Sequence, residues 1–141
     1  RRLAAAGIPV GVLAAPMIPF ITEPFLEEVL ERAAAAGATS AGYIFLRLPH
    51  EVAPLFREWL DVHQPLRAEH VMSLVQQSRG GKDYDANFAH RQSGTGEYAA
   101  MLAKRFAVAT KRLGLNRDRS LDTVDTTLFR KPPKNGQLAL F

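Results

Sequence analysis

Arg47 is the only charged residue in the apolar run Ser40–Pro49, and it falls near the end of that run. A guanidinium in such a setting must find a partner, because an unpaired charge among apolar neighbours is costly. Its planar fork suits two parallel hydrogen bonds to a carboxylate or a phosphate. The competing partner is Glu51, four residues on. A second group of candidates lies in the glycine-rich, polar stretch from Ser78 to Gly96, which holds Arg79, Lys82, Tyr84, Phe88 and Arg91. The three cations there could hold a polyanion while Tyr84 and Phe88 stack on bases. The alternative is a loop folded back on the protein, with its aromatics as anchors.

Other chemistries are excluded by spacing. Gly80-Gly81-Lys82 lacks the upstream glycine and the following Ser or Thr of a phosphate-cradling P-loop. His50, His63, His70 and His90 lack the spacing of a metal site, and His50 is expected to cap the helix that follows it. The chain contains no cysteine, so it offers neither a disulfide framework nor a thiolate ligand.

The net charge of +4 is unevenly spread. Residues 1–78 carry six Lys/Arg against eight Asp/Glu, and residues 79–141 carry twelve against six. A basic second half points to a polyanion such as DNA, or to a solvated basic face. No stretch has transmembrane length, and the opening Arg1-Arg2 lacks the cleavage site of a signal peptide. A cytoplasmic protein with no membrane partner is expected.

The elements that must position these side chains read as α/β. Two runs apolar on both faces, Val10–Pro16 and Ala41–Leu48, alternate with helices, which is the pattern of buried parallel strands. Gly37 stops the first intervening helix, whose stripe is Phe25, Leu26, Val29, Leu30 and Ala33. Val52, Leu55, Phe56, Trp59 and Leu60 predict the buried face of the next helix, and Val71, Met72, Leu74 and Val75 that of another. Tyr98, Met101, Leu102, Phe106, Ala109 and Leu113 mark a long final helix that Gly114 ends. Ligands of parallel sheets bind beyond the carboxyl ends of the strands, here at Ala15 to Ile21 and at Leu46 to His50. Two parallel strands make a poor independent sheet, so a larger parent protein is expected.

Several phrases resemble one family. AGIPVGVLAAPMIP (6–19), AGATSAGYIFLRLPHEVAPLFREWL (36–60), RGGKDYD (79–85) and DTTLF (125–129) are similar, in order, to the C-terminal part of radical S-adenosylmethionine proteins of the spore photoproduct lyase and DNA repair photolyase-like type. The resemblance implies the closing βα units of a partial (β/α) barrel, residues 1–63, followed by a helical extension at 64–115 and a flexible tail at 116–141. It implies S-adenosylmethionine and a [4Fe–4S] cluster in the parent, held by three cysteines in a missing N-terminal half. By itself the fragment is expected to be inactive, since cluster irons need thiolates. Pro16, Met17, Ile18 and Arg47 become candidate cofactor contacts, while Arg79, Lys82, Tyr84 and Arg91 become candidates for substrate or nucleic acid. Family members often carry glycine after the Ile-Pro of the elbow, where this chain has Phe20. Spore photoproduct lyase donates hydrogen from a C-terminal cysteine; in this chain only residues such as Tyr84 or Tyr98 stand in that region.

The terminal Gln137-Leu138-Ala139-Leu140-Phe141 is similar to the pentapeptide that docks bacterial replication and repair proteins on the sliding clamp. Gln137, Leu138, Leu140 and Phe141 match it, and a proline-containing leader would let them reach a groove. A nucleic-acid or clamp-binding module without catalysis is therefore the alternative to an enzyme fragment.

Overall fold

The computed structural model describes residues 1–117 together with Thr127, Phe129 and Arg130. The candidate clamp peptide at 137–141 lies outside the described residues. The elements run α1 (Arg2–Ala5), β1 (Gly11–Met17), a 3-10 turn (Glu23–Phe25), α2 (Leu26–Ala35), β2 (Ser40–Phe45), α3 (Val52–His63), α4 (Ala68–Gln77) and α5 (Gly96–Leu113). Strands β1 and β2 pair in parallel across the α2 crossover, so the α/β expectation holds for a two-stranded sheet.

The stops follow local chemistry. Gly37 takes φ +96° after α2, and a Cβ there would lie 2.6 Å from Ala4 Cβ. Gly114 ends α5 at φ 71°, a left-handed C-cap that glycine adopts without a steric penalty. Pro24 sits at the start of the 3-10 turn leading into α2, where its missing N–H costs nothing.

Pairing runs Val12 to Ala41 and Ala14 to Tyr43, then slips to Met17 opposite Phe45. Val12, Ala14, Ala41 and Tyr43 share the face that joins the core with Leu26, Leu30, Leu102 and Ala109. Helices α2 and α5 cover that face. The opposite face carries Gly11, Leu13 and Ala15 beside Ser40, Gly42 and Ile44, and Leu13 is 60% exposed. That opposite face is exposed along β1 and half-buried along β2.

The two outer edges differ as well. Along β2, the Asn116 side chain accepts from Ala41 N–H at 2.7 Å and donates to the Ala41 carbonyl at 3.0 Å. Gln92 then accepts from Phe45 N–H at 2.8 Å. This edge is closed by a side-chain amide and a loop. No further strand pairs with the outer edge of β1 among the described residues.

One expectation is overturned. Of the five residues assigned to the buried face of α3, only Leu60 is buried; Leu55 is 60% exposed and Trp59 41%. Helix α3 packs against α4 rather than over the sheet; Phe56 reaches the core only partly buried and also stacks on the exposed Trp59. Leu74 on α4 is half-buried and Met101 on α5 exposed, while Val71, Met72, Val75, Leu102 and Ala109 are buried as expected.

Candidate functional site at the strand ends

The elbow after β1 is clasped from within. Thr22 Oγ1 donates to the Pro16 carbonyl at 2.6 Å and accepts from Ile18 N–H at 2.8 Å. Met17 is buried, and its carbonyl accepts from Leu46 N–H at 3.1 Å. The Pro16 and Met17 carbonyls and the Ile18 N–H of this candidate cofactor contact are therefore already paired. Pro16, Met17 and Ile18 build the elbow, and the polar edge they offer is spent on Thr22 and β2.

Beyond the elbow Phe20 takes φ 61°, unusual for a bulky residue. Its carbonyl accepts from Arg67 Nη1 at 3.2 Å, and its ring meets His70 edge-on at 5.3 Å. These residues border a cleft of about 570 Å³ with Phe25 and the fully exposed Leu66. The volume lies in the range of small-molecule sites. Nothing in the sequence marked this cleft, because its walls come from the elbow and the α3–α4 link.

At the end of β2, Arg47 does not pair with Glu51. Its Nη2 donates to the Tyr84 hydroxyl at 3.2 Å, with the guanidinium carbon 5.9 Å from the Tyr84 ring centre. Tyr84 is half-buried and its hydroxyl is engaged by Arg47. Arg47 Nε is buried and has no hydrogen-bond partner.

Arg79, a candidate for substrate or nucleic acid, is 3% exposed and is engaged within the protein. Its Nη1 donates to the His90 carbonyl at 2.8 Å and its Nη2 to the Leu46 carbonyl at 2.8 Å, over the ring of Phe45. Burial pushes its pKa down; Asp85 pulls it up, and Arg47 pushes it down further. Arg79 is the staple that fixes the glycine-rich loop to β2. This agrees with the folded-back reading of that loop.

Asp83 strengthens the staple by accepting from Arg57 at 2.7 and 3.1 Å and from Gln76 at 2.9 Å. Those bonds, Arg57 first, hold its carboxyl below the ordinary value. Lys82 is exposed, as a polyanion contact requires. Phe88 is 80% exposed, with the Arg91 guanidinium 3.5 Å from its ring centre. Arg91 and Phe88 thus form a surface stack, while Tyr84 does not join them.

His50 is not a cap. Glu51 occupies the N-cap of α3 without a side-chain bond, and His50 precedes it at φ 46°. Tyr98, considered as a hydrogen donor, is half-buried; its hydroxyl has no hydrogen-bond partner and burial pushes its pKa up to about 12. Among the described residues no group of three His, Asp or Glu side chains could hold a metal ion. No described helix is long and apolar enough to cross a membrane.

Sequence reasoning also missed a charge network. Arg105 on α5 pairs with buried Glu23 and makes two bonds to Glu27, at 2.9 and 2.7 Å. The partners are 78 residues apart, and only the i,i+4 placement of the two acids hinted at a shared target. Comparison with known protein families, curated proteins and solved structures gives no match.

Proposed function

We propose that this chain supplies the closing βα units of a radical S-adenosylmethionine protein resembling the DNA repair photolyase-like family, and that it is inactive without its cluster-bearing half. The observation that carries this reading is the asymmetry of the sheet. Helices cover one face of β1 and β2, the other face is exposed along β1 at Leu13 and Ala15, and among the described residues only the β2 edge is closed. A barrel places its helices outside and small or branched apolar side chains inside. Leu13, Ala15, Gly42 and Ile44 suit such an interior, and the edge of β1 suits the preceding strand.

The residues fit the implied groups unequally. The chain has no thiolate for a cluster, so every iron ligand belongs to the parent's other half. The elbow offers no free Ile18 N–H or Pro16 carbonyl to an adenine edge. Arg47 keeps Nη1 without a partner at the strand end, its unpaired Nε being buried, which fits a cofactor carboxylate. In this reading the bound cofactor supplies the radical chemistry, and Arg47, held by Tyr84, orients one anionic group.

The test is the parent protein, reconstituted anaerobically with iron and sulfide and assayed for S-adenosylmethionine cleavage. Activity that R47A weakens about fivefold or more in cofactor affinity supports the reading. A parent that binds no iron overturns it.

A second reading has one specific observation behind it. The exposed Phe88–Arg91 stack and Lys82 share one loop, and aromatic platforms beside cations are how single strands are held. Salt-dependent retention of oligonucleotides that F88A abolishes would favour this nucleic-acid module, and retention unchanged by F88A would dismiss it.

A further inference from the structure

Two guanidinium groups meet at the carboxyl end of β2, and neither is hydrogen-bonded to a carboxylate among the described residues. Arg79 bonds only to carbonyls, although it is almost completely buried. Arg47 bonds only to Tyr84. The Nε atoms of both are buried without partners. Arg32, Arg57, Arg105 and Arg112 each pair with an acid, whereas Arg67 and Arg91, which like Arg47 and Arg79 do not, lack the buried, partnerless Nε that marks the β2 pair. Two neighbouring cations without a bonded counter-ion, at least one of them buried, form an arrangement that folding disfavours. Asp85 supports Arg79 through its field, but its own Oδ1 accepts from Asn87 N–H.

We propose that the end of β2 is an oxyanion site. Arg47 takes two oxygens of a phosphate or carboxylate through Nη1 and the second N–H of Nη2, because its Nε is buried. The Tyr84 hydroxyl already accepts from Arg47, so its own hydrogen is left to donate to the same anion. Arg79 touches no ligand; it adds charge from behind and fixes the loop that carries Tyr84. Asp85 opposes the ligand by its own negative field. The inference rests on the β2 end alone and holds whichever reaction the parent performs.

The test titrates the 141-residue chain with inorganic phosphate, and separately with acetate, at constant ionic strength made up with chloride. The readout is the Arg47 Nε–Hε resonance. Saturable binding is expected, weakened at least fivefold by R47K, which keeps the charge but loses the fork. Y84F is expected to weaken it about threefold, and D85N to strengthen it. Tighter phosphate than acetate names a phosphorylated ligand, and the reverse names a carboxylate. Shifts that never saturate, or that survive both R47K and Y84F undiminished, overturn the site. If R47K fails to fold, Y84F and D85N decide: opposite changes support the site, and no change in either refutes it.

Discussion

The buried guanidinium of Arg79 donates to the Leu46 carbonyl at 2.8 Å, joining the glycine-rich loop to the end of β2. It donates equally to His90, so one side chain closes both ends of the loop onto the strand. Hydrogen bonds from a charged group are stronger than neutral ones, and removing the donor leaves carbonyls short of partners. R79A should therefore lower stability by about 2–3 kcal/mol in urea denaturation. A loss below about half a kcal/mol would mean that the loop is held by other contacts.

Asp83 gives the same loop a pH dependence. Its carboxyl titrates below 3.8 in the folded protein because Arg57 and Gln76 favour the ionised form. The associated stability is present above the unfolded value and is lost as pH falls through the depressed folded value. The protection factors of the amides at 80–92, exchange relative to the intrinsic rate at each pH, should fall on acidification below about pH 4. In D83N those amides should exchange faster at neutral pH and lose that acid step. Identical profiles for the two proteins would remove Asp83 from the latch.

Tyr98 sets an opposite, alkaline limit. Burial raises its folded pKa to about 12 from 10.0, so its contribution is present below pH 10 and lost as pH rises towards 12. Its hydroxyl is buried without a partner, so Y98F removes an unsatisfied group. The substitution should leave stability unchanged or raise it by about 1 kcal/mol, and flatten the alkaline slope. A clear destabilisation would show that the hydroxyl is satisfied after all.

The bare face and open edge of β1 predict association. Unpaired strand edges recruit other strands, and a lysine on the strand blunts them. The purified chain should sediment as a concentration-dependent oligomer, and L13K should shift it towards monomer. A wild-type chain that stays monomeric and cooperatively folded would favour a self-standing domain.

What the sequence made legible was whatever depends on near neighbours. The two parallel strands were readable because Val10–Pro16 and Ala41–Leu48 are apolar on both faces, although the slip at Met17 shortened the pairing. Gly37 and Gly114 marked their helix ends because φ is a local property. The face of α3 was not readable, since Leu55 and Trp59 have the right spacing but nothing in the described chain lies over them. Arg79, beside Gly80 in a polar run, reads as solvated, and only the distant Leu46 carbonyl reveals its burial. Thr22 could be read as a helix start; its clasp on Pro16 and Ile18 depends on a fold-back that no periodicity records.

The tail makes an independent prediction. Deleting residues 137–141 should abolish retention of the parent protein on a bacterial sliding clamp and leave S-adenosylmethionine cleavage unchanged. Retention without the peptide would end the clamp proposal.

If β1 and β2 close the proposed barrel, the parent must hold its iron-binding side in another segment. Reading the coding sequence on the 5′ side of Arg1 decides between the two outcomes. A continuous frame with a CxxxCxxC segment is expected; a frame that opens at Arg1 with no cysteine-bearing segment before it would refute the proposed barrel.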